Sequence, residues 1–389
     1  MPVPDRLAPT FLATAALLAW GAARVDPAPG RVRETLRNDL PSRADYDRME
    51  RGYYEQLIGA GRTPDAAPGA LAGHGESIAV EHGRLTNKVA DVREFVLKPN
   101  LTRDPGRRIP WTTNAHGMRD QAVAASKPAD TFRIGLAGDS IAAGWGVQDG
   151  DGFEPRLEQA LDARSRAAGG PRVEVLNFAV PGHGPGQRWT HFETIGWDFD
   201  PDLVVFEATA ADLGWDERRL RALLARGVGF DAPVYADALK VAGACAGLDA
   251  EGYRRLMRPH RRTLLAGVYR AAAAECRSRG VRSVWVLIPR VGKPVEASQR
   301  RDLCGLARAA GFDVVVDAGD AFDGADPRAL AVAPNDFHPN ADGHARLARA
   351  LEPALAAAVR PDLARAVRQA GQTVTAADRR PPIEGASPR

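Results

Sequence analysis

Cysteine is scarce in this 389-residue chain, which has only Cys245, Cys276 and Cys304. Three is too few, and odd in number, for a disulfide framework or a cysteine-based zinc cluster. Lysine is nearly as rare. Lys88, Lys98, Lys127, Lys240 and Lys293 are the only lysines among 52 basic residues, so no lysine-rich tract can serve as an address or a polybasic anchor. Neither sign of charge dominates, since 52 Lys and Arg against 49 Asp and Glu give a net +3. The signs are interspersed, which excludes the basic stripe of an obligate nucleic-acid binder. Internal repeats are absent, and one apolar run, at the N-terminus, is the only long one. A globular enzyme or ligand-binding protein remains, long enough for one large domain with additions or for two domains.

The apolar run extends from Leu7 to Ala23 and is interrupted only by Pro9, Thr10, Thr14 and Gly21. A secretory h-region is about 7–15 residues long and a membrane span about 20. The run falls between these lengths, follows a single Arg6 offset by Asp5, and ends in the small residues Gly21, Ala22 and Ala23. Residues 1–23 are therefore expected to be a signal peptide or an N-terminal membrane anchor. Either makes the protein exported, to the periplasm or the extracellular space, or held at a membrane by this segment.

Residues 24–130 form an accessory N-terminal region, with a helix expected over Ser42–Ile58 and a flexible Gly/Ala/Pro connection over Gly59–Gly75. Short strand-like pieces and turn signals follow over residues 77–130. From Thr131 the pattern changes. Short β-rich runs at Phe132–Ala137, Val173–Phe178, Leu203–Glu207, Val281–Ile288 and Phe312–Val316 alternate with helical patterns at Glu154–Arg166, Arg261–Arg279 and Glu296–Ala310. A last helix is expected from Ala341 to about Val359, with an extension over residues 361–389 that is polar and expected to be disordered from Gly371. Strands alternating with helices predict an α/β domain over residues 131–360, its mostly parallel sheet covered on both faces.

In such a sheet, ligands bind beyond the carboxyl ends of the strands. The first β-run ends in Gly138-Asp139-Ser140. A serine in a Gly-flanked turn between strand and helix projects its hydroxyl into the crevice, with its N–H near the positive end of the helix dipole. Alone, it could equally be a helix cap. A serine nucleophile also needs a base, and the base an orienting acid. Asn335-Asp336-Phe337-His338-Pro339-Asn340, between the last strand and the last helix, emerges at the same edge and can bring His338 to Ser140.

Taken together, Gly138-Asp139-Ser140, Asn177-Phe178-Ala179-Val180-Pro181-Gly182 and Asp336-Phe337-His338-Pro339-Asn340 resemble the motif blocks of the SGNH (GDSL-type) hydrolase superfamily, over about Thr131 to Val359. The resemblance implies a flavodoxin-like, three-layer α/β/α fold and hydrolysis of esters by serine, with no metal and no organic cofactor. By position, Ser140 would be the nucleophile, His338 the base and Asp336 its acid, with the N–H groups of Ser140 and Gly182 forming the oxyanion hole. The expected partner is a small-molecule or carbohydrate ester, an O-acetyl group on an exported glycan being one such substrate. An O-acetyltransferase for a cell-envelope or extracellular glycan, and a non-catalytic glycan-binding protein on the same fold, are the alternatives.

Two positions depart from the family pattern. Its third block reads Gly-x-Asn-Asp, the Asn side chain completing the oxyanion hole, whereas Ala211 stands there in this chain. Losing one such donor typically costs about 10²–10³ in turnover, unless Thr209 or His183 replaces it. The family's acid usually lies three residues before the histidine, at Asn335, while the carboxylate here is at Asp336. A charged acceptor is the stronger orienter, and Asp-x-His spacing occurs in the related alginate O-acetylation proteins. His183, Thr209 and Arg290 are candidate substrate contacts, Arg290 with Lys293 at the end of the fourth strand. His344 reads as a capping or packing residue. Trp145, Trp189 and Trp215 suit either a sugar face or a core. The long segment Leu213–Pro259 is a candidate cover for the cleft.

Overall fold

The structure is a computed structural model that describes residues 85–101, 111–216, 220, 223–224, 227–228, 233–243, 247–334 and 336–377. The N-terminal apolar run, the expected helix at Ser42–Ile58, the connection at Gly59–Gly75, Cys245 and Asn335 lie outside the described residues. Among the described residues, no helix is long and apolar enough to cross a membrane.

A small antiparallel hairpin pairs β1 (Thr86–Lys88) with β2 (Phe95–Leu97). The main sheet has five parallel strands, β3 (Thr131–Ala137), β4 (Arg172–Asn177), β5 (Leu203–Ala208), β6 (Arg282–Leu287) and β7 (Val314–Asp317), in the order β4-β3-β5-β6-β7. Each observed strand overlaps its sequence-based expectation. The order reverses at β3, so the crevice between the carboxyl ends of β3 and its neighbours is where a doubly wound sheet binds ligands.

Helix α1 (Phe153–Ala167) follows β3, and α2 (Pro185–Ile195) follows β4. The segment after β5 contains α3 (Pro233–Ala242), α4 (Ala250–Met257) and α5 (Arg261–Ser278). Next come α6 (Ala297–Ala310), the short α7 (Pro327–Leu330) and α8 (Ala341–Ala377). The strands bury both faces, as a parallel sheet between two helical layers must. Ile134, Leu136, Val205 and Val286 pack with Leu157, Leu161, Leu351 and Leu355 of α1 and α8. Phe206, Trp285 and Leu287 pack on the other face with Phe192, Tyr269 and Leu303 of α2, α5 and α6. Period-2 alternation thus sends neighbouring residues of one strand into two different cores.

Two expectations about helices change. Helix α2 has no counterpart in the sequence reading, because its Gly/Pro-rich start reads as loop, yet Pro185 occupies its first turn and carries no N–H to leave unsatisfied. Helix α8 begins where expected, with the Asn340 carboxamide accepting the N–H groups of Asp342 and Gly343, but it continues to Ala377 rather than ending near Val359. Strong helix formers such as Ala, Leu, Arg and Gln fill that stretch and sustain the helix past Pro361 and into the part expected to be disordered from Gly371. Residues 378–389 lie outside the described residues.

The part of the accessory region from Trp111 to Asp130 is tied to the sheet by charged side chains. The Arg133 guanidinium, fully buried on β3, donates to the carbonyls of Ala124 and Ala125 and to the Glu174 carboxylate. Lys127 bridges Asp200 and Asp202. The Asp120 carboxylate accepts the N–H of Asn177 at the end of β4.

Candidate active site

The loops at the carboxyl edge bring Ser140 and His338, 198 residues apart in sequence, to 2.8 Å between Oγ and Nε2. His338 Nδ1 lies 2.6 Å from Asp336 Oδ1. A carboxylate can only accept, so Nδ1 carries the proton and Nε2 accepts from the serine hydroxyl. The same Oδ1 accepts the backbone N–H of His338 at 2.9 Å, so the tight Asp-x-His turn is itself a hydrogen-bonded unit. Burial pushes the Asp336 carboxyl up, but the His338 ring charge and the hydrogen bonds from the His338 ring and backbone outweigh it and hold the carboxyl below its ordinary value. Ser140 and His338 are both buried. Phe337 and Trp145 pack beside the imidazole, with ring centroids 4.2 and 6.3 Å away.

Ser140 does not sit at a helix N-terminus. Residues 140–147 form a run of tight turns, and α1 starts only at Phe153, so the helix-dipole argument for the Ser140 N–H does not hold. Within the run, the N–H groups of Ala143, Gly144 and Trp145 bond to the carbonyls of Asp139, Ile141 and Ser140. Gly146 has φ +86, and a Cβ there would meet Val332 at 2.7 Å. Glycine therefore lets the serine turn approach the segment whose Val332 N–H bonds to the carbonyl of His338. Gly182, in the loop after β4, is likewise left-handed, with φ +86.

Beneath the site lies a charge network that sequence reasoning missed. Arg188 of α2 is almost fully buried. Its Nε donates to His183 O at 3.1 Å, its Nη1 to Glu207 O and Asp212 Oδ2 at 2.9 Å, and its Nη2 to Asp139 Oδ2 at 2.8 Å. One guanidinium thus joins the serine turn, the Gly182 loop and the turn after β5. Burial pushes the Asp139 carboxyl up, but the Arg188 and Arg290 charges and the hydrogen bond from the Ile141 N–H together outweigh it and hold it below its ordinary value. Glu207 behaves oppositely: burial and the neighbouring Asp139 charge push its carboxyl well above the usual range. Its Oε2 accepts the Asp139 N–H at 2.6 Å. The only sequence signal for Arg188 is an unexplained arginine in a Gly/Pro-rich run beside apolar residues, too weak to separate from a solvated helix face.

The three candidate substrate contacts are buried and have partners within the protein. His183 is buried, and its Nε2 donates to Phe95 O of the hairpin at 2.9 Å, the ring packing against Phe95. Next to it, Gln187 donates to the carbonyls of Val92 and Arg93. These bonds dock the hairpin on the Gly182 loop. Thr209 is fully buried, and its hydroxyl and N–H donate to the Asp212 carboxylate, capping the 3₁₀ turn Ala210–Gly214. Its hydroxyl proton is therefore engaged and does not replace the donor missing at Ala211. Arg290 is buried, with its guanidinium carbon 4.5 Å from the Phe337 ring centroid, next to His338. His344 packs as expected: it is fully buried and its Nδ1 accepts the Phe153 N–H at the start of α1. Burial and the nearby Arg119 charge drop its pKa to about 3.

The three tryptophans are buried in the core. Trp215, from the long segment after β5, packs against Gly184, where an added Cβ would lie 1.5 Å from its ring. That segment thus covers the start of α2.

The fold and the family match make the chain an SGNH hydrolase acting on esters, with a flavodoxin-like three-layer core. The chain belongs to the GDSL-like Lipase/Acylhydrolase family, whose sequence model matches residues 136–346, more than half its length. No curated protein sequence matches it. Among solved structures, it is similar to TesA, with 16% identity and a TM-score of 0.37 over 57% of this chain and 97% of that one. It is also similar to a catalytic mutant of Axe2, an acetylxylan esterase from Geobacillus stearothermophilus, with 17% identity and a TM-score of 0.37 over 57% of this chain and 92% of that one. A third is a two-domain esterase (CEX) active on acetylated mannans, with 13% identity, a TM-score of 0.37 and coverage of 57% of this chain and 48% of that one.

Proposed function

We propose that the chain is a serine esterase that works through an acyl-enzyme, with Ser140 as nucleophile, His338 as general base and acid, and Asp336 as the group that orients and stabilises His338. The observation that carries this reading is the continuous chain of hydrogen bonds from Ser140 Oγ to His338 Nε2, at 2.8 Å, and from His338 Nδ1 to Asp336 Oδ1, at 2.6 Å. Ser140 Oγ attacks the ester carbonyl while its proton passes to His338 Nε2. The resulting imidazolium is stabilised by Asp336, which stays ionised. The oxyanion takes hydrogen bonds from the N–H groups of Ser140 and Gly182. Collapse of the tetrahedral species breaks the bond to the alcohol, which leaves with the proton from His338. Water, activated by the same histidine, then releases the acid and restores Ser140.

With alanine at position 211 and the Thr209 hydroxyl bonded to Asp212, this reading gives the hole two backbone donors, those of Ser140 and Gly182. Turnover is expected to lie about 10²–10³ below that of a three-donor site. Burial of Ser140 and His338 beside Trp145 and Phe337 favours a short acyl group. We take that group to be the O-acetyl of a carbohydrate, met outside the cytoplasm by a protein exported or anchored through residues 1–23.

Replacing Ser140 with Ala should abolish hydrolysis of p-nitrophenyl acetate and covalent labelling by a fluorophosphonate. Activity retained by that variant would sink the assignment. The short Asp336-x-His338 turn keeps a transferase reading in view. With an acetyl donor and a glycan, mass spectrometry separates the two, since a glycan that gains acetyl means transfer and one that loses acetyl means hydrolysis.

A further inference from the structure

The residues matched by the family begin at 136, yet a side chain from upstream of them reaches beneath the turn that carries Ser140. Arg119 is 7% exposed. Its Nη1 donates to the carbonyls of Ala143, at 2.9 Å, and Gly144, and its Nη2 donates to Val147 O at 2.6 Å. Its Nε donates to the Asp149 carboxylate at 2.9 Å, and the guanidinium lies 4.0 Å from the Trp111 ring centroid.

The serine turn needs such a group. Its N–H groups fold inward onto Asp139, Ile141 and Ser140. The Gly144 carbonyl meets one backbone donor, the Val147 N–H at 3.3 Å, and the first helical turn begins only at Phe153, too far along to supply others. Gly144 and Gly146, at φ +68 and +86, turn the chain so that these carbonyls converge. Converging buried carbonyls repel one another and are costly without donors. A guanidinium, with five N–H groups in a rigid fork, answers several at once where an ammonium on a flexible stem does not. The same unit reaches the base: Trp111 packs on Trp145 at 5.4 Å between centroids, and Trp145 lies beside His338.

We propose that Arg119 is a positioning residue for the ester hydrolysis, holding the Ser140–Val147 turn so that the Ser140 hydroxyl and N–H stay aimed at the substrate carbonyl. The accessory segment from Trp111 to Arg119 is then part of the catalytic unit rather than an appendage. This assignment rests on Ser140 being the nucleophile.

A cavity of about 300 Å³ flanks Arg119, lined also by Thr112, Gln121, Gln148 and Pro155, and offers a small cation a route to the space that a truncated side chain would leave. The test uses the full chain and p-nitrophenyl acetate. Arg119→Ala, folded by circular dichroism, should lose about 10²-fold in kcat with KM within twofold, the scale of a misplaced reacting group. Guanidinium chloride at tens of millimolar, far below denaturing levels, should restore several-fold of that loss in Arg119→Ala and do nothing for wild type. A role confined to stability would not yield to guanidinium.

A folded Arg119→Ala with kcat within threefold of wild type overturns the proposal, as does a loss borne by KM or one that guanidinium leaves unchanged. If Arg119→Ala does not fold, Arg119→Lys, which keeps the charge without the fork, takes its place. A tenfold or greater fall in kcat at constant KM then supports the proposal, and a wild-type kcat overturns it. Ser140→Ala is the control. If that variant stays active, the Ser140 reading fails. If it is dead while Arg119→Ala keeps full rate, only the Arg119 assignment fails.

Discussion

Replacing Arg188 with Met removes the one positive charge that touches both Asp139 and Asp212, together with the donor to the carbonyls of His183 and Glu207. Methionine fills part of the volume but can donate to none of the four acceptors. Hydrogen bonds between a guanidinium and carboxylates contribute about 1.5–3 kcal/mol each, and breaking a buried pair by removing one partner costs about 3–5 kcal/mol. Protonation of the abandoned carboxyls limits the cost, so we expect about 3–5 kcal/mol of lost stability at pH 7, out of the roughly 5–15 kcal/mol typical of a whole domain.

Protonation also sets a pH signature. Without Arg188, burial raises the carboxyls of Asp139 and Asp212 above their unfolded values near 4. The folded variant then binds more protons than the unfolded chain above about pH 4, and its stability falls as pH rises through that window, by up to about 1.4 kcal/mol per pH unit for each carboxyl. Urea denaturation of wild type and Arg188→Met at pH 5 and pH 8 measures this. A deficit below about 1 kcal/mol at pH 8, or one that grows toward acid, would refute the network as drawn.

Two further outcomes are expected. Asp336→Asn keeps an oxygen for the imidazole but removes the charge that stabilises imidazolium, and its amide can also present an N–H that favours the wrong tautomer. kcat should fall by about 10⁴-fold with little change in KM, and steady-state kinetics showing less than a tenfold loss would shift the orienting role elsewhere. Glu158 is pushed up to about 7 by burial and Asp120 to about 6 by the same cause, both beside the cavity near Arg119. Raised carboxyls favour the protonated folded state, so this cluster stabilises the fold below about pH 4–5 and that contribution is lost as pH climbs toward 7. Glu158→Gln, whose oxygen can still accept the Val175 N–H that Glu158 accepts at 2.8 Å, should flatten the fall in Tm between pH 5 and pH 8. A Tm profile identical to wild type would show that Glu158 does not drive it.

The sequence by itself determined the layered α/β class and the loops that carry the family's motifs. The short apolar runs in Phe132–Ala137 and Leu203–Glu207 specify strands buried on two faces, and the local motifs around Ser140, Gly182 and His338 mark loops that a parallel sheet gathers at one edge. Asp336 stood out in the sequence as a carboxylate two residues from a histidine, and in the structure it bonds both the ring and the N–H of His338. Tertiary structure alone decided which polar residues are bonded inside the scaffold. His183, Thr209 and Arg290 carry the side chains of a binding site but spend them on Phe95, Asp212 and Phe337, whereas Arg119 and Arg188, silent in the sequence, converge on the serine turn from two sides. The physical reason is that a backbone carbonyl or a buried carboxylate leaves no local pattern. Its need for a donor appears only when distant segments have packed together and excluded water.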